Sequence, residues 1–187
     1  MKTLQAFLLL HGLQERGRRI FRKLSPYLPK DALILSPDAP FPFERGYTWY
    51  FFDRTTQTYQ VPMSEAIGKL KIYLAEQNPE NLPLTIIGFS QGGYLAPVLA
   101  HELQNVQLVL GLGCEFRSNL IPDSFNLPLV GLHGAEDKIV PPAMALEQIE
   151  RLKERGIECK FSLVENTGHE INPQMGLAVQ KVIDGKL

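Results

Sequence analysis

Only two cysteines, Cys114 and Cys159, occur in the 187 residues. A pair cannot build a disulfide framework and suits a reducing compartment; both fall in or beside apolar runs, so each is expected as a small buried hydrophobe. An excess of charge is missing too, because 19 basic and 20 acidic residues leave a formal net charge of −1. Such a surface has no electrostatic reason to seek nucleic acid or an anionic membrane, and neither is expected as a partner. No apolar run approaches the roughly 20 residues of a membrane-spanning helix, so no stable membrane insertion is expected. The start, Lys2 and then apolar Ala6 to Leu10, has the outline of a signal peptide. That run stops at His11-Gly12 without a small-residue cleavage site, which points to a cytoplasmic protein. Repeats, low-complexity tracts and linkers are lacking, leaving one domain over 1–187. The Cys, His, Asp and Glu residues show no metal-ligand spacing, so no metal is expected.

What is present is alternation. Short apolar runs at Leu4–Leu10, Ala32–Leu35, Leu84–Ile87, Val106–Leu112, Leu127–Leu132 and Cys159–Val164 read as strands buried on both faces. Between them, apolar residues at helical spacing predict helices over Arg16–Leu28, Met63–Ala75, Gln91–Leu103, Ala143–Arg155 and Pro173–Ile183. The pattern predicts an α/β fold with a compact, largely parallel central sheet of about six strands and helices on both faces. No leading antiparallel hairpin is expected. In such sheets chemistry gathers beyond the carboxyl ends of the strands.

One strand end stands out. The run Leu84–Ile87 leads into Gly88-Phe89-Ser90-Gln91-Gly92-Gly93 and then a helix. A serine at the tip of a strand–turn–helix, flanked two residues away on each side by glycine, is the nucleophile-elbow pattern. A serine hydroxyl needs a base, and the base needs a partner that holds its tautomer. The loop after Leu132 offers His133, Glu136 and Asp137; the loop after Val164 offers His169. His11 and His133, beside glycines at strand ends, suit loop-bracing hydrogen bonds, and His101 suits an exposed helix end.

Taken together, Gly-Phe-Ser-Gln-Gly-Gly, His133-Gly-x-x-Asp137-x-x-Val-Pro and Gly168-His169 resemble the carboxylesterase/phospholipase branch of the α/β-hydrolases, which includes acyl-protein thioesterases. Leu10-His11-Gly12-Leu13 resembles its oxyanion-loop motif, and Pro37-Asp38-Ala39-Pro40 its Pro-x-Ala-Pro. The resemblance implies Ser90 as nucleophile, His169 as general base then acid, and Asp137 as the orienting carboxylate, with Glu136 beside it as the alternative. It implies an oxyanion hole made by the backbone N–H groups of Leu13 and Gln91, whose side chains would matter little. It requires no cofactor. The expected function is hydrolysis of carboxylic esters through an acyl-enzyme, on a small-molecule ester or thioester with an apolar acyl or alcohol part. Acyl-protein thioesterase or lysophospholipase activity is the alternative; from another class, the alternative is a catalytically silent binding protein on the same fold. A cofactor-free peroxidase would use the same three residues.

The stretch 38–61 holds eight aromatic residues among 24, where the chain average of 9% gives about two. It contains Pro40 and Pro42 and shows no clean periodicity, so it reads as a loop over the strand ends that walls the substrate pocket. Trp49, Phe52 and Phe43 are the candidate substrate-binding residues. The sequence departs from the family pattern at Gln14 and Glu15, where Gly and Asp are usual. It departs again at Phe51-Phe52-Asp53, where Trp-Phe-Asp is common, and at Gly113-Cys114-Glu115-Phe116, which lacks the usual Ser-Gly.

Overall fold

A computed structural model describes residues 4–53, 55, 56 and 58–186. Its central sheet is made by β1 (Ala6–Leu10), β2 (Leu33–Leu35), β7 (Leu84–Phe89), β8 (Val106–Leu112), β9 (Leu129–Gly134) and β10 (Cys159–Val164). The spatial order is β10-β9-β8-β7-β1-β2, and every pairing is parallel. The helices are α1 (Gly17–Leu24), α2 (Met63–Gln77), α3 (Gln91–His101), α4 (Pro142–Glu154) and α5 (Pro173–Ile183). A short 3₁₀ turn, Ser25–Tyr27, follows α1 where Pro26 cannot continue it as an α-helix.

Side chains alternate across the sheet as a pleat requires. Ala6, Leu8 and Leu10 of β1 pack on one face with Ile67 of α2, Leu95 and Leu99 of α3, and Ile149 of α4. Phe7 and Leu9 pack on the other face with Ile20 and Leu24 of α1 and with Met175 and Val179 of α5. From β1 the chain moves one way to β2, then returns past β1 to β7 and continues the other way. Right-handed crossovers in opposite directions put α1 and α3 on opposite faces. The reversal falls between β1 and β7, which pair from Ala6↔Leu84 to Leu10↔Gly88. A crevice opens at the carboxyl ends of strands where their order reverses. Leu13 and Ser90 stand at the ends of those two strands.

The aromatic stretch is not the irregular loop that its lack of periodicity suggested. It folds into two antiparallel hairpins, β3 (Phe41–Phe43) with β4 (Gly46–Thr48), and β5 (Phe51–Asp53) with β6 (Thr58–Val61). Strands of three or four residues, one carrying Pro42, are too short to express a period of two. Their order comes from tertiary contacts. Tyr47 of β4 exchanges backbone bonds with the segment after β1: Gln14 N–H donates to Tyr47 O at 3.0 Å, and Tyr47 N–H to Glu15 O at 3.1 Å. Gly46 permits this approach, since a Cβ there would sit 2.2 Å from Gln14 O.

Candidate active site

Ser90 occupies the turn between β7 and α3 with φ +49° and ψ −117°, a strained conformation for a residue with a side chain. Its neighbours explain how the turn closes. A Cβ on Gly88 would fall 2.3 Å from Gly92 O, and one on Gly92 would fall 2.3 Å from Leu10 O. Only glycine lets helix, turn and β1 approach so closely.

His169 lies in the β10–α5 loop, which is tied internally. Asn172 caps α5 by accepting from Met175 N–H at 3.0 Å and donates to Thr167 Oγ1 at 3.0 Å. The loop after β9 is bound to it through Glu136 N–H and Thr167 O at 3.0 Å. His169 Nε2 is 3.0 Å from Ser90 Oγ, and its Nδ1 is 2.8 Å from Asp137 Oδ2. A carboxylate only accepts, so Nδ1 carries the proton and Nε2 is left to accept from the serine hydroxyl. Asp137 Oδ1 takes the N–H groups of Ile139 and Val140, each at 2.9 Å. Of the two adjacent carboxylates, Asp137 is buried and reaches His169, whereas Glu136 is exposed. Behind the pair, buried His133 donates Nε2–H to Val140 O at 2.8 Å, with Asp137 Oδ2 at 3.4 Å. Phe89 covers the His169 ring at a centroid distance of 5.1 Å.

The remaining donors come from backbone. Among the described residues, neither Leu13 N–H nor Gln91 N–H has an acceptor. Gln91 opens α3, so its N–H is one of the free donors at the positive end of the helix dipole. The departures at Gln14 and Glu15 have clear local roles. Gln14 adopts φ +62°, the left-handed turn conformation that a glycine would take most easily. The Glu15 carboxylate accepts Gly12 N–H at 3.2 Å and pairs with Arg19 at 3.0 Å, fastening the loop to α1. Asp38, from Pro-Asp-Ala-Pro, accepts Gly17 N–H at 2.7 Å and caps α1 from a distance.

His11 is fully buried and its tautomer is set by two partners. Nδ1–H donates to Gly12 O at 2.7 Å, while Nε2 accepts Ala39 N–H at 2.9 Å. Burial lowers its pKa below the ordinary histidine value, against the opposing backbone bond and the nearby Glu15 and Asp38. Burial likewise raises the hydroxyl pKa of Tyr50 and Tyr94 and the thiol pKa of Cys114, all beside this region.

Of the aromatic candidates, Trp49 needs correcting. Its ring is 0% exposed, it stacks on His11 at 4.9 Å, and its Nε1–H donates to His11 O at 2.8 Å. It is a core residue, with no open face for a ligand. Phe52 and Phe43 remain half-buried on the hairpins; Phe52 packs on Tyr59 and lies 5.9 Å from the Arg117 guanidinium, which also stacks on Tyr94 at 4.7 Å. The side chain of Gln91, expected to matter little, makes four hydrogen-bond contacts with Thr48, Trp49 and Tyr50. Motif spacing drew attention only to its main chain. Clefts beside Tyr27 and Gln180, and beside Leu33 and Pro79, open at the amino end of the sheet, away from Ser90. Among the described residues no three His, Cys, Asp or Glu side chains converge on a metal position.

A family model for phospholipases and carboxylesterases matches residues 2–186. The chain belongs to the phospholipase/carboxylesterase family. It is therefore an α/β-hydrolase of the carboxylic ester hydrolase type. Solved structures with the same fold include esterase PE8, with TM-score 0.80 and 19% identity over 98% of this chain and 93% of that one. A carboxylesterase from Mesorhizobium loti gives TM-score 0.81 and 19% identity over 97% and 88%. Acyl-protein thioesterase 2 of Zea mays gives TM-score 0.73 and 22% identity over 100% and 95%. No curated protein sequence matches the chain.

Proposed function

We propose that the chain is a single-domain carboxylesterase in which Ser90, His169 and Asp137 act as a catalytic triad. The observation that carries this reading is the continuous relay Ser90 Oγ–His169 Nε2 at 3.0 Å and His169 Nδ1–Asp137 Oδ2 at 2.8 Å. His169 Nε2 takes the serine proton as Oγ attacks the ester carbonyl. The C=O π pair becomes an oxyanion, held by the N–H groups of Leu13 and Gln91. Collapse expels the alcohol, which receives the proton from His169 and leaves an acyl ester on Ser90. Water, deprotonated by the same histidine, then releases the acid. Asp137 keeps Nδ1 protonated and stabilises the imidazolium at each crest. No cofactor takes part. Phe52 and Phe43, half-buried on the hairpins, wall the apolar acyl or alcohol part of a small-molecule ester.

Replacing Ser90 by Ala is expected to lower kcat on a p-nitrophenyl ester by about 10⁴-fold or more, with the melting temperature unchanged. Retention of a tenth of the activity by the folded variant would overturn the assignment. Likeness in fold to a protein named acyl-protein thioesterase supports a second reading, thioester cleavage. Matched ester and thioester series of increasing acyl length separate the two. A cytoplasmic setting is supported by the free, buried state of both cysteines.

A further inference from the structure

The two candidate oxyanion donors sit on separate pieces of chain. Leu13 N–H belongs to the segment after β1, and Gln91 N–H to the first turn of α3. The β1–β7 ladder ends at Leu10↔Gly88, before either donor. A developing oxyanion is stabilised only when both donors are held within a few tenths of an ångström of its position. Something beyond the ladder has to fix one segment against the other.

The turn joining the two hairpins bonds to both. Toward the Leu13 segment, Trp49 Nε1–H donates to His11 O at 2.8 Å, and Tyr47 bonds to Gln14 and Glu15 on the far side of Leu13. Toward the elbow, the Gln91 side chain is fully engaged. Its Oε1 accepts Trp49 N–H at 3.0 Å, and its Nε2 donates to Tyr50 O at 3.0 Å and Thr48 Oγ1 at 2.8 Å. The Thr48 hydroxyl donates onward to Tyr50 O at 2.8 Å. Thr48 and Trp49 are both fully buried. The Trp49–His11 and Thr48–Tyr50 bonds are buried and those of Gln91 partly so, and bonds shielded from water hold their geometry more stiffly than exposed ones.

We propose that Thr48–Tyr50 is the brace of the oxyanion hole, and that the Gln91 side chain and the Trp49 indole N–H are positioning groups that set the spacing of its two donors. This rests on the triad reading above. Gln91 thus acts twice: its main chain faces the oxyanion, and its side chain holds that main chain in register with Leu13.

The test uses Gln91→Met, which keeps the backbone donor and the chain length but loses every side-chain bond, and Trp49→Phe, which loses the indole N–H together with part of the buried ring. For each, kcat and KM on a p-nitrophenyl ester are measured together with the affinity for a trifluoromethyl ketone, whose serine adduct carries the tetrahedral oxyanion. Expected for Gln91→Met is a loss of about tenfold or more in kcat, a KM within about twofold, and a matching loss of trifluoromethyl ketone affinity. The double variant is expected to lose little more than Gln91→Met, because both cut one connection. A folded Gln91→Met with kcat within twofold of the parent overturns the proposal, as does a loss confined to KM. Should Gln91→Met not fold, Trp49→Phe and Thr48→Val are read by the same criteria. Activity persisting in Ser90→Ala would instead indict the triad reading.

Discussion

Asp137 divides its carboxylate between the loop N–H groups and His169, and in the proposed triad that division predicts the effect of an amide in its place. In Asp137→Asn the carbonyl oxygen can still take the Ile139 and Val140 N–H groups, which turns the NH₂ toward His169 Nδ1. Nδ1 must then accept, the proton moves to Nε2, and the histidine can no longer receive the serine proton. A kcat loss on the order of 10³–10⁴ with little change in melting temperature is expected from steady-state kinetics. His11 gives a prediction about stability. Its folded pKa lies below the ordinary 6.5, so the unfolded chain binds the extra proton first as pH falls. The stability it contributes is present above pH 6.5 and drains away below that, as protonation at Nε2 is forced against Ala39 N–H. Urea midpoints compared at pH 7.5 and 5 should fall in the parent and fall less in His11→Gln.

At the scale of elements, close backbone approaches and loop ties decide the geometry. Gly92→Ala puts a Cβ 2.3 Å from Leu10 O, a backbone atom that cannot rotate away. It should cost about 3 kcal/mol in urea unfolding, through displacement of α3 from β1. Asn172→Ala removes the α5 cap and the bond to Thr167, for about 1 kcal/mol of stability. Its kcat should fall as well, because the same loop carries His169. The six strands and five helices were legible in the sequence among the described residues, within a few residues at most ends, because buried parallel strands and amphipathic helices repeat a pattern over many positions. The hairpins were not, since strands such as Phe41–Phe43 are shorter than the pattern that would reveal them. Trp49 was misplaced for a related reason. An indole in an aromatic stretch looks like a pocket wall until its N–H is seen meeting His11 O, 38 residues away in the chain. The side chain of Gln91 was equally invisible, because its partners in 48–50 become neighbours only through the fold.

At the scale of the whole molecule, the sheet reversal between β1 and β7 brings the elbow and the Leu13 segment to one crevice, and β9 and β10 deliver Asp137 and His169 beside it. The cysteines take no part in that arrangement. Burial raises the thiol of Cys114, and pushes that of Cys159 up to about 11 despite the opposing Lys153. Both therefore stay protonated at neutral pH, and a disulfide reagent such as DTNB should find no rapidly reacting thiol in the native protein and two after unfolding. Ester hydrolysis should accordingly be insensitive to thiol-blocking reagents.

In the proposed reaction His169 activates Ser90 for attack on an acyl carbonyl. A fluorophosphonate probe followed by peptide mapping tests it most directly. One adduct per chain, located on Ser90 and absent from Ser90→Ala and His169→Ala, is the predicted result. A folded parent protein that forms no adduct, or forms it at another residue, would contradict the account.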